Sequence, residues 1–179
     1  MKIKHIALMA LSTAISSSAL AASSNTIQFQ GEVADQTCNV TINGNASVPT
    51  VLLPTVPKSQ LATAAATAGQ TPFTIGVSGC TAPTGSALAI KTIFVANNIT
   101  SAKNMGNTGT ATNVALRLVD PKAPTVALDL TGATGSPGLS VAVGKTSATY
   151  DYAVQYIAEA AGATSGTVLG SVQYSVSYQ

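Results

Sequence analysis

One histidine and two cysteines are all that 179 residues offer of the commonest nucleophilic and metal-binding chemistry: His5, Cys38 and Cys80. A serine or cysteine nucleophile needs an imidazole or an equivalent base beside it, and the usual zinc and copper sites also draw on histidine. His5 lies in a leader segment described below, so neither chemistry is expected of the finished chain. Asp120 and Asp129 do not fall in a calcium-loop spacing, and Asp120 precedes Pro121, a common turn arrangement. Lys58, Lys91, Lys103, Arg117, Lys122 and Lys145 are scattered along the chain and make no phosphate-binding cluster, which argues against nucleic acid. Tyr150, Tyr152 and Tyr156 resemble a sugar-binding surface only superficially, because Tyr150 and Tyr152 flank Asp151 and so share one face of a strand. No catalytic residue, metal or cofactor is therefore expected, and the chain is read as a non-enzyme. What remains is Cys38 with Cys80. A redox pair has its cysteines close in sequence, as in C-x-x-C; two cysteines this far apart in an exported chain form one structural disulfide.

The reading as an exported chain comes from the first 21 residues. Lys2, Lys4 and His5 make a positive start, residues 6–15 are mostly apolar, and Ala19-Leu20-Ala21 is a small-x-small cleavage pattern. The apolar run is shorter than the ~20 residues of a membrane-spanning helix. A cut after Ala21 is expected, and one after Ala22 fits nearly as well. Loss of Lys2 and Lys4 leaves six basic and six acidic residues and no formal net charge. Near-zero charge favours self-association. Only 8 % of residues are charged and 46 % are hydrophobic, against about 25 % charged in ordinary soluble proteins; that combination also argues against disorder.

Elements with a period of two dominate the rest of the chain. Ile27, Phe29, Gly31 and Val33 share one parity, and residues 40–42 continue in the same style up to the Asn43-Gly44-Asn45 turn signal. Residues 51–53, between Pro49 and Pro54, read as a short edge strand. Further strands are expected where Phe73, Ile75 and Val77 alternate, over 88–96, along Val114, Leu116 and Leu118, and over 126–130, 139–143 and 150–157. Residues 59–69 fit either a helical turn or a loop. Many short strands with frequent turns predict one antiparallel β-sandwich.

The two ends of the mature chain stand out. Val168, Gly170, Val172, Tyr174, Val176 and Tyr178 alternate with mostly small polar residues, and the chain stops at Gln179, one residue later. Most domains close with a polar tail instead. Phe29-Gln30-Gly31-Glu32-Val33, followed five residues on by Cys38, begins the mature chain in the same way. With residues 72–80, Ala111-Thr112-Asn113-Val114, Leu116-Arg117-Leu118, a penultimate Tyr178 and Gly166 fourteenth from the end, the chain resembles the major subunit of chaperone–usher fimbriae, the type 1 fimbrial pilin family.

That resemblance implies an all-β, immunoglobulin-like sandwich lacking its last strand and completed by donor-strand exchange. Residues 1–21 would be the signal peptide, 22–33 the donor extension and 34–179 the domain. Ile27, Phe29, Gly31 and Val33 would enter a neighbour's groove, Gly31 where a Cβ has no room. Gly166, Val168, Val172, Tyr174, Val176 and Tyr178 would mark the groove strand that also binds a periplasmic chaperone, with the Gln179 carboxylate on basic chaperone residues. The stretch before Phe29 is a few residues shorter than the family pattern. Implied partners are other copies of the chain, the chaperone, an outer-membrane usher and adaptor or tip-adhesin subunits, in an extracellular fimbrium reached through the periplasm. The expected function is a pilus shaft subunit supporting adhesion; a minor adaptor subunit and a self-contained secreted sandwich are the alternatives.

Overall fold

The computed structural model describes Val33, residues 38–47 and residues 49–178. The leader, Ile27, Phe29, Gly31 and Gln179 lie outside the described residues. Two antiparallel sheets make up the fold. The larger contains β1 (Asn39–Ile42), β2 (Thr67–Ser78), β4 (Val114–Asp120), β5 (Ala123–Ala127) and β7 (Ala148–Ala158), in the order β1-β2-β7-β4-β5. The smaller contains β3 (Leu88–Ala96), β6 (Ser136–Val141) and β8 (Val172–Tyr178), in the order β6-β3-β8. Among the described residues the one helical element is a 3-10 turn at Lys58–Leu61. The expected sandwich is the fold found.

Alternation explains the layering. Phe73, Ile75 and Val77 of β2, Ile90 and Phe94 of β3, Leu118 of β4 and Tyr152 of β7 all point between the sheets and are buried. Phe94 meets the Tyr152 ring edge-on at 5.2 Å and Phe73 at 6.5 Å, so three aromatic rings interlock at the centre. The β1–β2 register places Asn39 opposite Ser78. It brings Cys38 and Cys80 to a Cα separation of 4.6 Å, where they form the disulfide.

Several expected boundaries shift. Residues 51–53 form no strand; Pro49, Pro54 and Pro57 deprive this stretch of ladder donors, and it runs instead as an extended wall whose Val51 and Leu53 pack on the core. The ambiguous stretch 59–69 resolves into the 3-10 turn and the start of β2, which carries a bulge between Ala68 and Thr71. The strand expected at 126–130 divides, because the chain changes sheets there. Leu128 N–H still donates to Leu118 of the larger sheet, whereas the Leu130 carbonyl accepts from Ala96 of the smaller one.

Asp129 sits at that crossing. Its carboxylate accepts the backbone N–H and the hydroxyl of both Thr131 and Thr134. These bonds, the Thr131 hydroxyl foremost, hold its pKa down to about 2. A depressed carboxylate stabilises the fold above its unfolded pKa and loses that effect as pH falls through the folded value. Asp129→Asn is therefore expected to be less stable than the unaltered protein at neutral pH, with the gap closing between about pH 4 and about pH 2, as read from denaturant midpoints. Replacing Cys38 and Cys80 together with Ser, which opens a cross-link of 42 residues, is expected to cost roughly 4 kcal/mol in the same assay.

Candidate functional site: a groove between two sheet edges

β8 pairs with β3 on one side, and among the described residues no strand lies on the other. β1 is likewise an edge, pairing with β2 and with no other strand among the described residues. The two edges face each other across one opening. Into it opens a cavity of about 810 Å³, lined by Ile42 and the 46–53 stretch on the β1 side, and by Gly170, Val172 and Tyr174 on the β8 side. Its floor is Phe73, Phe94, Met105, Leu116, Leu118 and Val154. Among the described residues no ionisable side chain except the Tyr174 phenol lines it.

The burial along β8 is that of a strand with a layer missing. Val172, Tyr174, Val176 and Tyr178 pack on the core yet remain only half-buried, whereas Phe94, paired with Tyr174, is 1 % exposed. A sheet edge with no second strand among the described residues, beside an apolar trough, suits an extended apolar segment, adding backbone hydrogen bonds along the edge and side chains in the trough.

Met105 reaches the floor from the long β3–β4 connection, and its position depends on a polar anchor. Met105 and Leu116 exchange backbone hydrogen bonds of 2.8 and 2.9 Å. Beside them the buried Asn104 amide donates to Glu159, which also accepts from Thr100, and the Asn104 oxygen accepts from Arg117 Nε at 3.0 Å. Arg117 of β4 and Glu159, just beyond the end of β7, are thus bridged by an amide rather than paired directly. Sequence reasoning missed Asn104 and Met105: they sit in a connection with no periodicity, and their importance is visible only once β4 lies alongside.

The structure divides the residues expected to form the C-terminal groove strand. Val172, Tyr174, Val176 and Tyr178 lie on one face of β8, as their parity required. Gly170 precedes the strand but lines the cavity; a Cβ there would come within 2.7 Å of Met105 Sδ and 3.0 Å of Leu116 Cδ1. Val168 and Gly166 lie outside β8, which corrects the expected reach of the strand. Residues 164–169 turn away to run along 108–112, with Thr108 N–H donating to Leu169 and Ala111 N–H to Thr167, and the Thr112–Thr164 hydroxyls meeting at 3.1 Å. At Gly166 a Cβ would sit 2.5 Å from Ala111 N, so close backbone approach is the reason for glycine there. Val33 is fully exposed.

Nothing among the described residues gathers three or more metal-ligating side chains. A small surface pocket of about 280 Å³ lies at Asp120, Lys122 and Tyr150. Tyr150 Oη donates to Asp120 at 2.6 Å, which pushes the phenol up to about 12 and lowers the carboxylate. Neither group exchanges protons near neutrality.

A family model described as fimbrial protein matches residues 27–179. The chain belongs to the fimbrial protein family. It is 36 % identical over 161 residues to the major fimbrial subunit SMF-1 of Stenotrophomonas maltophilia, covering 88 % of this chain and 94 % of that one. It is also 36 % identical over 179 residues to the F17 fimbrial protein of Escherichia coli, covering 96 % and 97 %. Among solved structures, the P pilus rod subunit PapA superposes with a TM-score of 0.56 at 14 % identity, over 79 % of this chain and 99 % of that one. A chaperone–usher pilus structure concerned with rod uncoiling gives 0.55 at 16 %, over 86 % and 94 %. The likeness to these two places the fold as the immunoglobulin-like sandwich of pilus subunits. The protein is a structural subunit of bacterial surface fimbriae, which grow by association of such subunits.

Asn104→Ala is expected to lower stability by about 1–3 kcal/mol, measured by urea unfolding, because Arg117 and Glu159 lose the amide that joins them.

Proposed function

We propose that this fimbrial subunit is a shaft subunit that polymerises by donating residues 22–33 to the groove of the next copy. The observation that carries this reading is the pair of facing sheet edges, β1 and β8, with an uncharged apolar trough between them. Ile27, Phe29 and Val33 supply apolar side chains at the period that an added strand needs, and Gly31 falls at the position with no room for a Cβ. The full exposure of Val33 supports a segment that buries its apolar face on another molecule.

Before assembly the same edge of β8 is covered by a strand of a periplasmic chaperone, whose basic residues hold the Gln179 carboxylate, and an outer-membrane usher then exchanges one strand for the other. Residues 1–21 direct export and are removed, leaving the extension at the new N-terminus. The protein contributes no catalysis; its work is mechanical, and tip or adaptor subunits complete the organelle that supports adhesion.

Gly31→Val, expressed with the chaperone and usher, is expected to reduce the ladder of boiling-resistant multimers on gels at least tenfold (about 1.4 kcal/mol) while leaving chaperone-bound subunit in the periplasm. Ladders of normal intensity from Gly31→Val, or from a chain lacking residues 22–30, would show that this segment is not the donated strand.

A further inference from the structure

The β1 bank of the groove turns a corner at Asn43-Gly44. Ile42 and Asn45 exchange both backbone hydrogen bonds at 2.9 Å, which leaves Asn43 and Gly44 as a two-residue loop. Both take positive φ, +50° and +76°, as a type I′ turn requires. The corner joins two pieces of one wall, because Ile42 before it and Ala46 and Ser47 after it all line the cavity. Asn43 is also fastened to β2. Its backbone N–H donates to the Thr74 carbonyl at 2.8 Å, and its side-chain oxygen accepts the Thr74 N–H at 2.7 Å. The side chain thus extends the β1–β2 ladder one step beyond the Ile42–Ile75 pair.

Asn43 is the one asparagine of the chain that glycine follows. A glycine nitrogen has no neighbouring Cβ to shield it, and at Gly44 a Cβ would meet nothing within 4 Å. We infer that Asn43 is a self-modification site, deamidating through Gly44 when this corner opens and held intact while it is closed. In the reaction the Gly44 nitrogen bonds to Asn43 Cγ, and the Cγ–Nδ2 bond breaks. Nδ2 departs as ammonia, taking the Gly44 amide proton. Water then opens the five-membered imide at either carbonyl, leaving aspartate or isoaspartate. No electrons are transferred, and water is the one co-reactant.

Ring closure needs the Cβ–Cα–C–N torsion of the asparagine nearly eclipsed. In left-handed backbone, with ψ about +47°, that torsion is close to anti and Cγ faces away from the next nitrogen. Asn43 must therefore leave the turn before it can react, breaking the Ile42–Asn45 pair and its hold on Thr74. Isoaspartate routes the main chain through Cγ, which adds a carbon to a loop that closes only at standard length. The corner cannot reform, and the damage to the groove wall is permanent. Aspartate keeps the main chain and an oxygen for the Thr74 N–H, but sets a negative charge at the corner.

Assembled filaments and the same chain unfolded in urea test this when incubated side by side in mildly alkaline buffer. Peptide mass spectrometry with isoaspartate labelling follows each asparagine. The unfolded chain should deamidate at Asn43 before any other asparagine, and filaments roughly tenfold or more slowly at that position. In filaments, urea below the level that disassembles them should speed deamidation of Asn43 and hydrogen exchange of the Asn45 amide together, since both need the same opening. Equal rates in filaments and unfolded chain overturn the inference, as does another asparagine reacting first in urea. Deamidation that quickens while the Asn45 amide stays protected also overturns it. Each measurement uses the unaltered chain, and none depends on which strand fills the groove, so strand donation stands or falls separately.

Discussion

The feature on which the rest of this molecule bears is the outer edge of β8, where no second strand lies among the described residues. A strand whose outer N–H and C=O groups have no ladder partner, beside half-buried valines and tyrosines, is a template for another strand. Most proteins blunt such an edge with charge, proline or a bulge. Here the outward residues of β8 are Gln173, Ser175 and Ser177, which are uncharged, and among the described residues the trough beside them carries no carboxylate, lysine or arginine. The edge is kept receptive. Burying three apolar side chains of a donor at about 1.5–3 kcal/mol each is comparable to the ~5–15 kcal/mol by which whole domains are stable. In the proposed strand donation, association and the completion of the fold would be one event.

An open groove must keep its shape while unfilled, and the structure meets that demand with fixings in its floor and around it. The disulfide holds the start of β1 against β2, the aromatic cluster of Phe73, Phe94 and Tyr152 stiffens the floor, and the Asn104 bridge brings Met105 under the opening from a long connection. The proline-bounded wall at 49–57 is secured where Tyr156 donates to the Pro54 carbonyl at 3.2 Å. The disulfide, Asn104 and Tyr156 lie outside the cavity lining, whereas Phe73, Phe94 and Met105 form its floor. They set the distance between two edges, as bonds in a frame do.

How much of this the residues reveal on their own depends on the range of the interaction. The alternation of Val172, Tyr174, Val176 and Tyr178 identifies a strand and its inner face, because a period of two is a local property of extended backbone. The two cysteines identify a disulfide by elimination, and the Asp120-Pro121 turn is a matter of neighbouring residues. Strand ends were less legible. The stretch 126–130 has the composition of one strand but serves two sheets, and only the positions of Leu118 and Ala96 decide where it divides. Gly166 belongs by sequence to the run leading into β8, yet its glycine is required by Thr110 and Ala111, more than fifty residues away.

The sequence by itself determined that the chain is a β-sandwich, which faces of its strands turn inward, and that residues 27–33 and 168–178 carry strand patterns. These follow from nearest-neighbour sterics and from the burial of apolar side chains at fixed spacing. Tertiary structure alone decided that β1 and β8 face each other across a gap, that Met105 floors it and that Tyr178 meets Cys38. Each depends on where separate strands come to rest, and distances between sheets are set by packing and by hydrogen bonds such as Cys38 to Tyr178 that span 140 residues.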